Sequence, residues 1–229
     1  MSHVIIIGGG AAGMMAAIAA AGAGHKVCIY EKNEKLGKKI YITGKGRCNV
    51  TNACDTEELF RNVVHNAKFL YSSFYTFTNT DVMDLIEKYG CPLKTERGGR
   101  VFPVSDKSSD VIHALTVALR ELGVEVELHE EVSGVLAEDG HVSGVRLKRG
   151  QKVVPADAVI VTTGGLSYPS TGSTGDGYRF ATELGHTITE LSPALVPFET
   201  AEDEARELQG LSLKNIEIRI TDGKRELYR

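Results

Sequence analysis

No two of the four cysteines, at positions 28, 48, 54 and 91, form a C-x-x-C pair, and none stands at metal-ligand spacing from the seven histidines. That absence excludes a metal-binding or C-x-x-C redox motif and points to reduced thiols in a cytoplasmic protein. A large excess of charge is also missing: the formal net charge is -4, which exerts no global pull toward nucleic acid or anionic lipid. Prolines number only 6, and there is no internal repeat or low-complexity tail. With 42% hydrophobic and 24% charged residues, this is the composition of a soluble globular chain with room for one large or two modest domains. Val4 to Gly24 carries no charge and is long enough to cross a bilayer, but it is mostly Ala and Gly after its first residues and no basic n-region precedes it. It is expected to fold as strand, tight turn and helix, and no membrane partner is expected. Asn49-Val50-Thr51 matches a glycosylation sequon, a chance match in a chain that shows no secretion signal.

What is present begins at the N-terminus. His3 to Ile7 reads as a buried parallel strand feeding Gly8-Gly9-Gly10-Ala11-Ala12-Gly13, a G-x-G-x-x-G turn in the right context. In such a turn Gly8 permits the tight bend, Gly10 lets backbone approach a pyrophosphate, and Gly13 lets the helix of Met14 to Ala21 lie close on the sheet. The helix start, with Ala11 and Ala12, offers unpaired N–H groups to phosphates. A second strand, Lys26 to Tyr30, ends at Glu31, 18 residues beyond Gly13, where a carboxylate takes both hydroxyls of an adenosine ribose and disfavours a 2′-phosphate. Together these predict a dinucleotide site, for NAD or FAD.

The later elements favour FAD. Residues 32 to 54 read as irregular chain where a nicotinamide-type unit would continue into helix and strand. Helices are expected after Asp55, through Leu59, Phe60, Val63 and Val64, and over Asp81 to Tyr89. Arg97 to Arg100 reads as a hairpin turn, and an amphipathic helix from Val111 to Leu122 stops at Gly123. Val124 to His129 is the expected third parallel strand. Three short strands, about Val132 to Ala137, Val142 to Lys148 and Gln151 to Val154, then stand where a helix is usual, with a turn at Asp139-Gly140. Ala158 to Thr162 closes the unit before Thr163-Gly164-Gly165, and a helix of Tyr178 to Leu184 follows. This is α/β: a Rossmann-type FAD-binding domain, a parallel sheet with a β-meander crossover.

The segments "TGKGRCNVTN", "GRVFPVSDKSSDV" and "TTGGLSYPSTGSTGDGY" resemble the BaiN-like, or aminoacetone-oxidase-family, FAD-binding bacterial flavoproteins of the glutathione-reductase-like superfamily. The resemblance runs along essentially the whole chain and implies FAD as cofactor. It implies that Gly8, Gly10, Gly13 and Glu31 hold the ADP half; Ala11, Ala12 and Lys32 are further expected cofactor contacts. It implies too that the segment around Lys39, Thr43, Gly44, Arg47, Cys48 and Asn49 lies along pyrophosphate and flavin, and that Thr163, Gly164 and Gly165 let the chain pass close to the cofactor. Proteins of this group are usually much longer. A division is therefore expected into an FAD domain over 1–190, lacking a C-terminal completing segment, and the start of an inserted β-rich substrate domain over 191–229, with strands at Asn215 to Thr221 and Arg225 to Tyr228.

"YITGKGRCNVTN", residues 41 to 52, admits three readings. A phosphate loop of the G-x-x-x-x-G-K-[ST] type is excluded, because six residues separate Gly37 from Gly44 and Gly46 follows Lys45. A disulfide-reductase dithiol would need four residues between cysteines, and Cys48 and Cys54 have five. A cofactor-pocket wall is favoured: Lys32, Lys35, Lys38, Lys39, Lys45 and Arg47 face one acid, Glu34, and one or two of them would neutralise a pyrophosphate. A solvated loop is the plainer reading of Lys32 and Lys35, and Arg47 and Asn49 are the expected direct contacts.

The expected activity is hydride transfer between FAD and a small organic substrate. There is no second G-x-G-x-x-G, so the reductant is NAD(P)H bound transiently, or the substrate itself with oxygen as acceptor. A redox sensor using Cys48 and a flavin-dependent RNA-modifying protein are the alternatives; the acidic balance counts against RNA, and no nucleic-acid partner is expected. No catalytic acid or base is assigned, and Tyr168 either faces the ring or packs.

Overall fold

The computed structural model describes residues 1–193, 195–196, 199–213 and 216–228. Chain contacts divide the protein into two units, Met1–Ile188 and Thr189–Arg229. In the first, β1 (His3–Ile7), α1 (Ala11–Gly22) and β2 (Lys26–Glu31) precede a region of β3 (Thr51–Asn52), α2 (Thr56–Arg61), α3 (Tyr71–Thr76), α4 (Asn79–Lys88), β4 (Leu93–Thr95) and β5 (Arg100–Pro103). Next come α5 (Ser108–Glu121), β6 (Glu125–Leu128), the strands β7 (Val132–Glu138), β8 (His141–Leu147) and β9 (Val153–Pro155), then β10 (Ala158–Val161) and α6 (Asp176–Glu183).

The central sheet runs β10-β1-β2-β6, every pair parallel. Because side chains alternate along a strand, the apolar run of β1 feeds two cores. Val4 and Ile6 pack with Met14, Ala17 and Ile18 of α1 and with Leu115 and Leu119 of α5. Ile5 and Ile7 face the other way, onto Val132, Val145 and Leu147 of the meander and Phe180 of α6. A continuous hydrophobic strand is thus explained by burial on both faces. The meander β7-β8-β9 is antiparallel, and its first turn has Asp139 and Gly140 both at positive φ, as a two-residue hairpin requires.

The structure departs from the sequence expectations in several places. Residues 32 to 54 are not wholly irregular: a 3₁₀ stretch spans Ile40–Gly46, and β3 pairs with β5. α2 ends before Val63 and Val64, where the Asn62 side chain donates to Glu58 O. α4 starts at Asn79 because Thr78 and Asp81 form a reciprocal capping box. α6 starts at Asp176, directly after Gly175 at φ +83°. The helix α3 was not anticipated; Tyr71, Phe74 and Tyr75, at i, i+3 and i+4, bring their rings to Phe60 of α2, a partner that the short segment alone does not reveal.

The second unit contains α7 (Glu204–Glu207) and an antiparallel pair, β11 (Ile220–Asp222) and β12 (Arg225–Tyr228). Of the strand expected from Asn215 to Thr221, Asn215 lies outside the described residues and pairing begins only at Ile220. Among the described residues no helix is long and apolar enough to cross a membrane, and no cluster of His, Cys, Asp or Glu has metal-binding geometry.

Candidate cofactor-binding site

At the C-terminal end of β1 the chain turns through glycines that leave almost no room for side chains. Gly8 sits at φ +104°, its N–H donating to Tyr30 O at 2.8 Å, and a Cβ on it would lie 2.7 Å from Thr162 O. A Cβ on Gly13 would run into Gly8 O and lie 2.8 Å from Thr162 Oγ1, so helix and sheet approach as closely as glycine allows. Gly9 is equally closed, by the Leu36 side chain and by Glu31. Gly10 alone in the turn faces open space, with nothing within 4 Å of a Cβ built there.

Glu31, at the end of β2, is 7% exposed. Its Oε2 accepts from Gly9 N at 2.7 Å, and its Oε1 accepts from Asn33 N at 2.7 Å and Asn33 Nδ2 at 2.6 Å. A carboxylate offers about four acceptor positions, so three donors leave capacity for a ligand hydroxyl. The carboxylate therefore braces the turn that it borders.

A cavity of about 360 Å³ opens over this turn. Gly8, Gly10, Ala11, Ala12, Glu31, Lys32, Lys39, Thr43, Thr163 and Gly164 line it, which brings most of the expected residues to one place. Lys39 Nζ donates to Ser167 O at 2.8 Å and to Ser173 Oγ at 2.6 Å, while Lys32 Nζ donates to Thr174 Oγ1 and Asp176 Oδ2, both at 2.7 Å. Lys32 is thus not a solvated loop residue. Asn33, Ser173, Asp176 and Tyr30 also line the cavity and went unnoticed in the sequence. Only the Asn two places after Glu31, and the hydroxyl-rich Gly172 to Gly177 stretch, hinted at them.

Six expected residues lie outside the cavity wall. Gly13 is under the turn, Gly44 at φ +56° carries the chain close to Asn49 N, and Gly165 lies against Tyr178. Arg47, Cys48 and Asn49 are otherwise engaged. The Arg47 guanidinium bonds Glu96 and Asp106 and stacks on the Phe102 ring, with its carbon 4.1 Å from the ring centre. Its charge is balanced by acids brought from the turn between β4 and β5 and from the loop after β5, which the local sequence gave no reason to expect. With its amide turned so that the nitrogen faces carbonyls, Asn49 donates to Val101 O at 3.2 Å and Thr51 O at 3.0 Å, securing backbone rather than ligand. Cys48 is buried at φ +61°, and burial pushes its thiol pKa up, the opposite of what a reactive thiolate needs.

The Arg47 cluster has a consequence for acid stability. Hydrogen bonds from Arg47 hold Glu96 below the usual carboxylate range, and bonds from Lys94 and Arg47 do the same for Asp106. A carboxyl lowered in the folded state contributes stability above its unfolded pKa of about 4 and loses it as pH falls through the folded value. Between about pH 5 and pH 3 the urea midpoint of Arg47→Met should accordingly fall less steeply than that of the unsubstituted chain; parallel curves would show the cluster contributes nothing.

The dinucleotide expected here passes a structural test. Thr163 Oγ1 is buried in the cavity wall with no hydrogen-bond partner, and Gly10 leaves free the space a close backbone contact requires, beside the uncapped start of α1.

Comparisons with known proteins bear on the family and the fold. The family model described as HI0933-like protein Rossmann domain matches residues 2–224. A Clostridium scindens protein named 3-dehydro-bile acid delta(4,6)-reductase is 36% identical over 200 residues, covering 86% of this chain and 47% of that protein. An Escherichia coli protein named ribosomal RNA dihydrouridine synthase is 31% identical over 208 residues, covering 91% and 50%. The chain thus spans about half the length of the curated relatives it matches. Among solved structures, a flavocytochrome c3 fumarate reductase superposes with a TM-score of 0.59 at 23% identity over 80% of this chain and 40% of that one. The 3-ketosteroid-delta4-(5alpha)-dehydrogenase of Rhodococcus jostii RHA1 gives 0.59 at 18% over 80% and 54%, a likeness of fold. The chain belongs to the HI0933-like Rossmann-domain family, in keeping with its BaiN-like resemblance and with a parallel-sheet domain of the FAD-binding type.

Proposed function

We propose that this chain binds FAD in the cavity over Gly8–Gly13 and serves a flavin-dependent oxidoreductase that reduces a carbon–carbon double bond conjugated to a carbonyl. The observation that carries the cofactor reading is the cavity itself: Glu31 at one side of the glycine turn, open space over Gly10, and the Lys39 ammonium in the wall. Glu31 and Asn33 would hold the ribose, the first turn of α1 and Lys39 the diphosphate, and Thr163 and Gly164 the chain's approach to the cofactor beyond it. When bound, FAD supplies a ring that accepts and donates hydride.

The substrate class rests on what two relatives' names have in common. A delta(4,6)-reductase of a 3-dehydro bile acid and a dihydrouridine synthase both act at an alkene conjugated with a carbonyl. A small enone fits this chain better than RNA. The net charge is -4, and Arg47, Lys32 and Lys94 are paired with acids of their own chain. An RNA substrate is the second reading, favoured by the names of the Escherichia coli and Haemophilus influenzae relatives. A thiol-based sensor loses its physical basis with a buried, unactivated Cys48. The four free cysteines fit a reducing compartment, and the cytoplasm is our assignment. NADH or NADPH is the proposed reductant, since a flavin that reduces its organic substrate must draw hydride from a second donor.

The test is an anaerobic titration of the purified protein carrying FAD, first with NADH or NADPH and then with 2-cyclohexenone or uridine-containing RNA. The expected result is flavin absorbance that bleaches with a nicotinamide and returns with the enone. Return with RNA alone would favour the second reading, and a protein that retains no flavin would overturn the cofactor assignment.

A further inference from the structure

Residues 165–175 leave the end of β10 and return to the start of α6 as a closed loop, with Gly175 N donating to Gly165 O at 3.2 Å. Within it Thr171 N donates to Tyr168 O and Gly172 N to Pro169 O, both at 2.9 Å. Its large apolar side chains do not fasten it: Leu166 and Tyr168 are 56% and 65% exposed. The fastening is polar and comes from the segment after β2. Lys39 holds Ser167 O and Ser173 Oγ, Asn33 Nδ2 holds Thr171 O at 3.2 Å, and Lys32 holds Thr174 and Asp176. A loop attached by hydrogen bonds with little apolar packing opens at low cost.

The two lysines differ electrically. Lys32 is neutralised by Asp176 at 2.7 Å. Both hydrogen-bond partners of Lys39 are neutral oxygens, so its charge is uncompensated by them. Lys39 and Ser173 both face the cavity, into which the uncapped start of α1 also opens. A diphosphate oxygen is a stronger acceptor for an ammonium than a carbonyl or a hydroxyl.

We propose that a diphosphate entering the cavity takes the Lys39 ammonium from Ser167 and Ser173 and thereby loosens the loop of residues 165–175, leaving it the weaker Asn33 bond to Thr171, while Lys32 on Thr174 and Asp176 keeps the α6 end anchored. Lys39 is then a positioning residue that couples ligand entry to loosening of the loop. This rests on the dinucleotide reading of the cavity. By linkage, a change that weakens the loop's hold on Lys39 and leaves the lysine in place should strengthen diphosphate binding.

The chain has no tryptophan, so Tyr168→Trp places a single indole on the loop. With ADP as probe on the 229-residue chain, the indole's fluorescence anisotropy should fall on saturation. Adding Lys39→Gln to the reporter should give the low value without ligand. Ser173→Ala, which removes one of the competing acceptors, should tighten ADP binding by about threefold in calorimetry, whereas a merely structural serine would weaken it. In the unsubstituted chain, amide hydrogens of residues 165–175 should exchange about tenfold faster with ADP bound. Binding of ADP with unchanged anisotropy and unchanged exchange would overturn the latch and leave the cofactor site standing; failure of ADP to bind at all would overturn both.

Discussion

Glu31→Gln should weaken ADP binding about a hundredfold, a loss of 2–3 kcal/mol, and lower the melting temperature of the ligand-free chain. The carboxylate is buried and faces donors at both oxygens: Gly9 N–H at one, the Asn33 N–H and amide at the other. A glutamine has one oxygen and one NH₂ group. Whichever way it turns, a donor meets a donor, and each buried group left unpaired costs about 1–3 kcal/mol. If Gly9 loses its acceptor the turn loosens; if Asn33 loses its own, the link from β2 to Thr171 weakens. The ribose also loses a charged acceptor. Calorimetry with ADP beside thermal melting separates these effects, and an unaltered ADP affinity would remove Glu31 from the site.

Gly13→Ala should destabilise the chain by about 3 kcal/mol, against the direction that helix propensity gives. Alanine is the better helix former by about 1 kcal/mol, and Gly13 lies within α1. Yet its Cβ would collide with Gly8 O and crowd Thr162 Oγ1, which itself lies 2.9 Å from Ile7 O and 3.0 Å from Gly8 O. The obstacle is backbone and a tied hydroxyl, so helix and sheet must separate. Gly22, in the same helix, has nothing within 4 Å of a built Cβ. Gly22→Ala is the control and should stabilise by about 0.5–1 kcal/mol. Urea unfolding of both variants decides the matter: equal responses would mean that the close approach carries no energy.

These outcomes bear on what could be read from sequence. The glycine turn, the strands on either side of it and α5 were legible because their signals are local: special backbone angles, a two-sided apolar strand, helical spacing stopped at Gly123. The meander was legible through Asp139-Gly140. The partners of the basic residues were not, since they arrive from far along the chain. Arg47 looks like an anion ligand among its neighbours in sequence, but Glu96 and Asp106, 49 and 59 residues away, engage it first. Lys32 looks like a surface lysine until Asp176 comes within reach from 144 residues away. A run of basic side chains states how much charge is available locally; the fold determines which of them meets an acid, and Lys39 meets two neutral oxygens instead.

The parallel sheet ends on two unlike borders. β6 presents Glu125 and Glu127, like charges that discourage a second copy of the same strand from pairing there. β10 reads Ala158-Val159-Ile160-Val161, an apolar border without a single charge, hydrogen-bonded to β1 on its inner side. Of the two, the uncharged border offers less resistance to an added strand, so association of partly opened molecules should begin there.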